Sequence, residues 1–357
     1  MNLLEKLKTL PKDKLDEIRI FVDNLDDVFL SPSGKKLIFF HPHEALERFE
    51  YKSFHKAVKN AGFKDNEWIF IDSNFEGDYE NVLHIDYQMY RTLNHLLESP
   101  NIDFFPYTDE QIKVLKEFKR EKNFLSYNGY PHSHRIMLTY ELKKRGLLDD
   151  GLVSLLKKPS SEDFVELRKR LNTDDDWGES DDYFSKEHLL DVREDFENGV
   201  SFQALDSDMY KDNFVWHSLD FPFEHLKNTY FNIVPETKFF TIEKNAKYIF
   251  VTEKTYKSLV TQPFIVLGRP KILNYLRQKG FKTFPKMFDE SYDDIQDNKE
   301  RFDFVMNQVQ NLCNKGLDIV RKLYLESFEN ILHNQKLLIK MGEESFETNL
   351  KRLIKNE

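Results

Sequence analysis

Short apolar runs alternate with amphipathic stretches along most of this chain, and the alternation predicts a mixed α/β fold. Apolar runs bounded by turn-forming residues are typical of buried strands, whereas apolar residues three or four positions apart are typical of helices. Strands that alternate with helices favour βαβ units and a mostly parallel sheet. The predicted strands are KLIFFHP (36–42), WIFIDSN (68–74), VLHID (82–86), FLSYNG (124–129), LVSLL (152–156), YFNIVPE (230–236), KYIFV (247–251), PFIVLG (263–268) and FKTF (281–284).

Helix signals lie between these runs. Leucines at helical spacing predict that residues 1–30 are helical, and a turn, SPSG, follows at 31–34. Thr108 and Gln111 form a capping box, which predicts the start of another helix. Two further helices are predicted from Ser133 to a stop at Gly146 and from Pro270 to a stop at Gly280.

The order of these elements predicts two Rossmann-like domains and a helical end. Residues 1–115 form the first predicted domain and residues 116–298 the second. The second contains an acidic insertion at about 159–199, and residues 299–357 are predicted to be helical. The fold class expected from this order is α/β with two parallel-sheet domains and C-terminal helices.

The acidic insertion raises the question of a metal site. Asp174, Asp175 and Asp176 are residues that could hold a nucleotide-sugar diphosphate through a divalent cation. Such a motif should close a buried strand, but the residues before it, RKRLNT, are polar. We therefore favour a solvated insertion and expect no divalent metal.

Composition narrows the class of protein without choosing a function. The single cysteine, Cys313, excludes a disulfide framework and a cysteine-based zinc site, and favours the cytoplasm. The charged N-terminus does not resemble a signal peptide, and no apolar run reaches the roughly 20 residues that span a bilayer. The net charge of −10 argues against a general nucleic-acid coat protein.

Three positions in the second half combine a strand end with a charged side chain. In open parallel sheets ligands bind at the carboxyl ends of the strands, where helix N-termini present free N–H groups and partial positive charge. Arg135 lies in the first turn of the helix after FLSYNG, and Glu236 directly follows YFNIVP. Glu253 and Lys254 begin the helix after YIFV, with Thr252 as its N-cap.

The chemistry of these side chains is complementary. Arg135 offers a planar fork that can hold phosphate bidentately, and Lys254 offers a point charge. Glu236 and Glu253 can accept hydrogen bonds from the hydroxyl groups of a ribose or a sugar. Asn128 ends its strand at the same predicted edge and is a further candidate for donor binding. Together they suit a ligand that carries both phosphate and hydroxyl groups, such as a nucleoside-diphosphate sugar.

A purely structural interpretation competes with this one. The helix dipole alone favours Glu253 in a first turn, and Lys254 could simply be solvated. Arg135 could pair with a surface acid, and His132 and His134 are better explained as loop histidines than as metal ligands. The motifs GxGxxG, GxxxxGK[ST], GxSxG and HExxH are absent from the chain.

Two stretches resemble a known family of enzymes. VTEKTYKSLVTQPFIVLG (251–268), continued by RPKILNYLRQKGFKTFPKMFDESYDD (269–294), resembles the donor-binding motif of α1,3-fucosyltransferase-like glycosyltransferases of the GT-B architecture. FLSYNGYPHSHRIMLTYELKKRGLLDDGLVS (124–154) resembles a segment of glycosyltransferase-like proteins of large bacteriophages. The resemblance implies a GT-B-like arrangement and a nucleotide-sugar co-substrate that is bound without a metal or another cofactor.

The resemblance also implies roles for single residues. Arg135 would contact the donor phosphates and neutralise the leaving nucleoside diphosphate. Glu253 would hold the ribose, and Lys254 would hold the phosphate or the sugar. Glu236 lies where the family has an acidic residue near the donor sugar. Arg135 and Lys254 would therefore carry most of the catalysis by electrostatic stabilisation.

The first domain would hold the acceptor, although no family motif matches there. An inverting transfer needs a carboxylate that takes the proton of the acceptor hydroxyl. Glu44, Asp72 and Asp86 each follow a predicted strand of this domain, and each is also well explained as a strand-end or capping acid. The general base therefore stays open among these three residues.

Several functions remain open from the sequence alone. The acceptor is a glycan or, in a phage-encoded protein acting in the host cytoplasm, a hydroxymethylated pyrimidine in DNA. A non-catalytic nucleotide- or carbohydrate-binding protein with the same fold is the alternative from another class. A nucleotide-sugar epimerase would need a glycine fingerprint for its dinucleotide, which this chain lacks.

Overall fold

The protein is described from a computed structural model, which divides the chain into two compact units. One comprises residues 1–91, 247–250 and 340–357, and the other comprises residues 92–246 and 251–339. The described residues are 3–19, 28–31, 34–41, 48–72, 81–84, 86–99, 102, 104–129, 131–154, 162, 223–240, 249, 251–343 and 348.

The first unit is built on a four-stranded sheet. Its strands lie in the order β1-β2-β3-β4, with β2, β3 and β4 parallel and β1 antiparallel to β2. Phe54 packs on this sheet, with its ring centre 5.2 Å from that of Phe39 and 5.6 Å from that of Trp68. The elements are α1 Leu3–Lys8, α2 Lys12–Arg19, β1 Val28–Leu30, β2 Leu37–His41, α3 Arg48–Asn60, a 3₁₀ turn Asp65–Glu67, β3 Trp68–Asp72, β4 Val82–His84 and α4 Tyr87–Glu98.

The prediction of helix through residues 1–30 is wrong at its end. Residues Val28–Leu30 form β1, because the turn that follows reverses the chain onto β2. In that turn the Gly34 N–H donates to the Ser31 carbonyl at 2.8 Å, and Gly34 has a φ of +70°. The left-handed conformation suits glycine, which has no Cβ to clash with the backbone. Apolar residues Val28 and Leu30 thus serve a strand rather than a helix.

The second unit contains an all-parallel sheet of four strands. Its order is β6-β5-β7-β8, and each neighbouring pair is parallel. The elements are α5 Asp109–Glu117, β5 Lys122–Ser126, α6 Ser133–Lys144, a 3₁₀ turn Leu148–Asp150, β6 Gly151–Val153, α7 Phe223–Asn228, β7 Thr229–Pro235, α8 Glu253–Leu259, β8 Phe264–Leu267, α9 Ile272–Gln278, a 3₁₀ turn Glu290–Asp294, α10 Asn298–Asn314 and α11 Leu317–Gly342.

The strand order creates a switch point between β5 and β7. From β5 the chain crosses outward through α6 to β6, and from β7 it crosses in the opposite direction through α8 to β8. Because such crossovers are right-handed, the two helices lie on opposite faces of the sheet. The crevice between the carboxyl ends of β5 and β7 is where open α/β sheets bind ligands.

Two predicted strands, KYIFV (247–251) and FKTF (281–284), are wrong in the described residues. Phe281 and Phe284 are buried, but the segment between them is irregular. Side chains take its backbone donors: Lys282 N–H donates to Asn334 Oδ1 and Phe284 N–H to Glu290 Oε1, so they are not available to a neighbouring strand. Residues 249 and 251 also lie outside any strand, and residues 247, 248 and 250 lie outside the described residues.

Helix boundaries agree better with the sequence. Thr108 and Gln111 form the predicted capping box of α5, and α6 begins at Ser133 as predicted. Gly280 follows α9 with a φ of +91°, as expected for a glycine stop. Pro270 does not take the first position of α9, which begins at Ile272.

The expected helical end is confirmed through α11, within the part of the chain that the structure describes. No helix of that part is both long and apolar enough to cross a bilayer.

Candidate functional site

The start of α8 is held by a carboxylate beneath it. Glu236 directly follows β7 and is fully buried. Its Oε1 accepts hydrogen bonds from the Thr252 N–H at 3.0 Å and the Thr255 hydroxyl at 2.5 Å. Its Oε2 accepts from the Thr252 hydroxyl at 2.7 Å and the Thr237 N–H at 3.1 Å. Four protein donors therefore use the acceptor capacity of this carboxylate, which fixes the helix start.

The first residues of α8 are those expected from the sequence. Thr252 is the N-cap, and its hydroxyl accepts from the Lys254 N–H at 3.4 Å. Glu253 Oε1 and Lys254 Nζ are 2.7 Å apart. Lys254 Nζ also lies 3.3 Å from the hydroxyl oxygens of Thr237 and Thr252. The lysine side chain is 22% exposed and the glutamate side chain 9%, so the lysine is the more accessible of the two.

Glu253 is ionised in this setting. Burial acts to raise the pKa of its carboxyl, but the charge and hydrogen bond of Lys254 act against it, together with a backbone hydrogen bond and the charge of Lys257. The balance lowers the pKa to about 2. Glu253 is therefore a hydrogen-bond acceptor at neutral pH and not an acid that can donate a proton.

The Arg135 side chain approaches the start of α8 from the opposite face of the sheet. It lies in the first turn of α6, is 3% exposed, and donates from Nη2 to the Pro235 carbonyl at 3.3 Å. Burial lowers the pKa of Arg135 to about 10, and the charges of Glu236 and Glu253 act in the opposite direction. The guanidinium stays charged at neutral pH, close to both carboxylates.

Lys257 belongs to this charged group, although it was not predicted from the sequence. It lies one helical turn after Glu253, is 6% exposed, and lowers the pKa of that residue. Its Nζ is 5.8 Å from the ring centre of Tyr127, which follows β5. The spacing of four residues between Glu253 and Lys257 was the available signal. Among the described residues, Arg135, Lys254 and Lys257 thus share the crevice with Glu236 and Glu253.

Asn128 is enclosed at the end of β5. It is fully buried, its N–H donates to the Ser154 hydroxyl at 3.1 Å, and its Nδ2 donates to the Ser126 hydroxyl at 3.3 Å. Its Oδ1 is buried and has no hydrogen-bond partner among the described residues. Asn128 therefore brings an amide acceptor to the carboxyl edge of the sheet.

The three helix starts at this edge differ in how they are capped. Both carboxylate oxygens of Asp293 occupy the start of α9, accepting from the Leu273 N–H at 3.0 Å and the Asn274 N–H at 2.9 Å. No side chain caps α6 at His132. At the start of α8 the Thr252 hydroxyl accepts from the Lys254 N–H, and the Glu253 carboxyl accepts from its own backbone N–H. An anion is therefore better accommodated at the start of α6 than at the start of α8 or α9.

His134 lies in α6 rather than in a loop, and its side chain is held by the protein. Its Nε2 donates to the Glu236 carbonyl at 2.6 Å, and its ring stacks on that of Phe239 with centres 5.7 Å apart. Across the described residues, no group of three or more histidine, cysteine, aspartate or glutamate side chains is arranged to hold a metal ion. Asp174, Asp175 and Asp176 lie outside those residues.

The three candidate general bases, Glu44, Asp72 and Asp86, belong to the first unit. Asp86 Oδ1 accepts from the Met89 N–H at 3.3 Å, so this residue caps the start of α4. Asp72 ends β3 between His41 of β2 and His84 of β4 in the strand register. Glu44 lies outside the described residues, as does the side chain of Asp72. Of these three acids, Asp86 is therefore assigned a capping role.

Comparisons of the chain with protein-family models, with curated proteins and with solved structures gave no match. The case for a function consequently rests on the geometry of the crevice.

Proposed function

We propose that the second unit binds a nucleoside-diphosphate sugar in the crevice between β5 and β7, and that the protein transfers the sugar to an acceptor hydroxyl. The observation that carries the proposal is the meeting of Arg135 with Glu253 and Lys254 at a topological switch point. The two sides come from helices that follow adjacent strands, and the start of α6 has no side-chain cap.

The diphosphate fits the positive side of the crevice. The start of α6 offers N–H groups and partial positive charge. Lys254 is accessible enough to contact a phosphate oxygen, whereas the enclosed Arg135 supplies a fixed positive potential behind it. Both would stabilise the negative charge that develops on a departing nucleoside diphosphate, and need no reorganisation to do so.

Ribose hydroxyl groups fit Glu253. This carboxylate is ionised and lies beside the proposed phosphate contact. Glu236 supports it from below by holding the threonines of the helix start, since its own oxygens are already occupied. The role of Glu236 in the proposed site is therefore to position α8, and Glu253 makes the sugar contact.

A binding test uses two lysines at helix starts of the same sheet edge. Melting temperature is measured with nucleoside diphosphates and their sugars, because a ligand of the folded state must raise it. In Lys254→Ala, the nucleotide is expected to leave the melting temperature unchanged. Lys271→Ala is the control, since Lys271 pairs with Asp294 at the start of α9, which Asp293 already caps. Equal shifts in both variants, or no shift with any nucleotide in the wild type, would contradict the proposal.

A second test separates catalysis from binding. Slow release of free sugar from the stabilising donor is expected from a transferase, and a binding module would leave the donor intact. EDTA should not change the release, because the proposed phosphate contacts come from side chains and helix starts. DNA binding that weakens steeply with salt would favour a modified base as the acceptor over a glycan.

A further inference from the structure

A buried arginine of α10 gathers backbone carbonyls from three parts of the second unit. Arg301 is 1% exposed. Its Nη2 donates to the Phe239 carbonyl at 2.9 Å, its Nε to the Gly268 carbonyl at 2.9 Å, and its Nη1 to the Ile295 carbonyl at 2.8 Å. These carbonyls belong to the stretch after β7, the residue after β8 and the stretch before α10. One guanidinium therefore joins three separate segments of the chain.

The planar fork of the guanidinium makes this arrangement possible. Arginine presents N–H donors on each of its guanidinium nitrogens in one plane, whereas lysine presents all of its donors on a single nitrogen. Nη2 also donates to Asn298 Oδ1 at 2.8 Å. Burial lowers the pKa of Arg301 to about 9, and the charges of Asp297 and Asp293 act in the opposite direction. The guanidinium is therefore charged at neutral pH, and a lysine in its place would keep the charge but lose most of these bonds.

The ring of Phe239 links this arginine to the start of α6. The guanidinium carbon of Arg301 lies 4.7 Å from the centre of the ring. The same ring stacks on His134 with centres 5.7 Å apart, and Phe302 meets it edge-on at 6.2 Å. His134 directly precedes Arg135 in the first turn of α6. The turn that carries Arg135 is therefore held against a ring that Arg301 anchors.

The stretch after β7 also contacts the lysine of the crevice. We call residues 236–240 the post-β7 segment. Lys254 Nζ donates to the Thr237 hydroxyl at 3.3 Å. The Glu236 carbonyl accepts from His134 Nε2 at 2.6 Å, and its carboxylate holds the start of α8. The post-β7 segment therefore touches the lysine directly and the arginine of the crevice through its neighbouring histidine.

We propose that Arg301 is a positioning residue for the donor site: by fixing the post-β7 segment, it sets the separation between Arg135 and Lys254 that a diphosphate requires. The inference rests on the proposed function, and it assigns to Arg301 the preference for a diphosphate over a monophosphate. Arg301 acts through the segment, because its guanidinium is buried and donates to protein carbonyls. A shift of the segment moves one cation relative to the other, which weakens a ligand that needs both more than a ligand that needs one.

The first test measures dissociation constants for UDP with UMP and for GDP with GMP by titration calorimetry. In Arg301→Lys, the preference for the diphosphate is expected to fall by roughly tenfold, because the two cations are no longer held at one separation. Arg120→Lys is the matched control: Arg120 is also buried, and it donates to the Lys227 and Leu115 carbonyls just before β5. Both variants should melt at a lower temperature, but only Arg301→Lys should change the preference. An unchanged preference in Arg301→Lys would overturn the proposal.

Hydrogen exchange separates a failure of this proposal from a failure of the proposed function. The Thr252 N–H, which donates to Glu236, should exchange faster in Arg301→Lys than in the wild type and at an unchanged rate in Arg120→Lys. Exchange as slow as in the wild type would overturn the positioning role, whether or not a nucleotide binds. Should the wild type bind none of these nucleotides, the proposed function fails, and the diphosphate preference assigned to Arg301 fails with it.

A second variant covers the case in which Arg301→Lys does not fold. Phe239→Leu removes the ring that stacks on His134 but keeps the carbonyl that accepts from Arg301. The same fall in the preference for the diphosphate is expected, because the turn that carries Arg135 loses its contact with the post-β7 segment. A wild-type preference in Phe239→Leu would overturn the proposed path from Arg301 to the crevice.

Discussion

At the scale of single residues, the crevice rests on a division of work between two glutamates. Glu236 is surrounded by four protein donors, whereas Glu253 faces a lysine and keeps its charge. Glu236 therefore shapes the site without being available to a ligand. Gly268 lets Glu236 pack closely against it, because a Cβ at position 268 would lie 2.7 Å from Ile272 Cδ1 and 3.2 Å from Glu236 Cβ.

Glu236→Gln tests this role. An amide can accept at only one of the two oxygen positions, so donors from Thr252 and its neighbours would be left facing an NH₂ group. We expect a loss of about 2 to 3 kcal/mol in the free energy of unfolding, measured with urea. Glu224→Gln is the control, since the Glu224 side chain is 63% exposed. An unchanged free energy in Glu236→Gln would show that the junction does not hold α8.

Part of this residue-level arrangement could be predicted. Strand ends followed by helix starts identified Arg135, Glu253 and Lys254, and the structure brings them together. The use of all acceptor sites of Glu236 could not be predicted, because its partners are fixed by the path of the chain after β7.

At the scale of elements, helix starts at the sheet edge decide where an anion fits. The start of α9 is blocked by Asp293, which is held in the 3₁₀ turn Glu290–Asp294. The sequence placed α6 and α8 correctly, because the Gly146 stop of α6 and the Thr252 cap of α8 are local signals. It failed for FKTF (281–284), where alternating aromatic residues resemble a strand but Asn334 and Glu290 take the backbone donors.

The buried Asp293 carboxyl at the start of α9 predicts that the free energy of unfolding depends on pH. Burial raises the pKa of Asp293 above its ordinary value of 3.8, despite hydrogen bonds from Leu273 and Asn274 that act to lower it. The folded state therefore holds this proton to higher pH than the unfolded state. The stabilisation that protonated Asp293 gives to the folded state is complete below about pH 3.8, and it is lost as the pH rises through the folded pKa.

Asp293→Asn removes this titration. Urea unfolding from about pH 4 upward should show the wild type losing stability relative to the variant as the pH rises. Asp318→Asn is the control, because Asp318 is exposed in the first turn of α11. A constant difference between the wild type and Asp293→Asn across this range would refute the assignment.

At the scale of the whole molecule, two units each carry their own sheet and core. The sequence predicted a mixed α/β fold from alternating runs, and the parallel strands of both sheets agree with it. It missed β1, because three residues are too few to show a period that separates a strand from a helix. The switch point was also beyond periodicity, since strand order depends on pairing between distant segments.

Separate cores predict separate unfolding transitions. Calorimetry is expected to resolve two transitions, because multi-domain chains depart from two-state behaviour. A stabilising nucleoside diphosphate should raise the transition of the second unit and leave that of the first unchanged. In Lys254→Ala, adding the nucleoside diphosphate should shift neither transition. One transition, or equal shifts of both, would contradict the independence of the units.

The pairing of β5 with β7 has a kinetic consequence. His134 and Glu236 are joined by a hydrogen bond although they are 102 residues apart in the chain. Contacts between such distant segments form slowly, because a long loop must close before they gain any energy. We therefore expect the crevice to appear late during folding, so that a newly made chain acquires its helices well before it can hold a nucleotide.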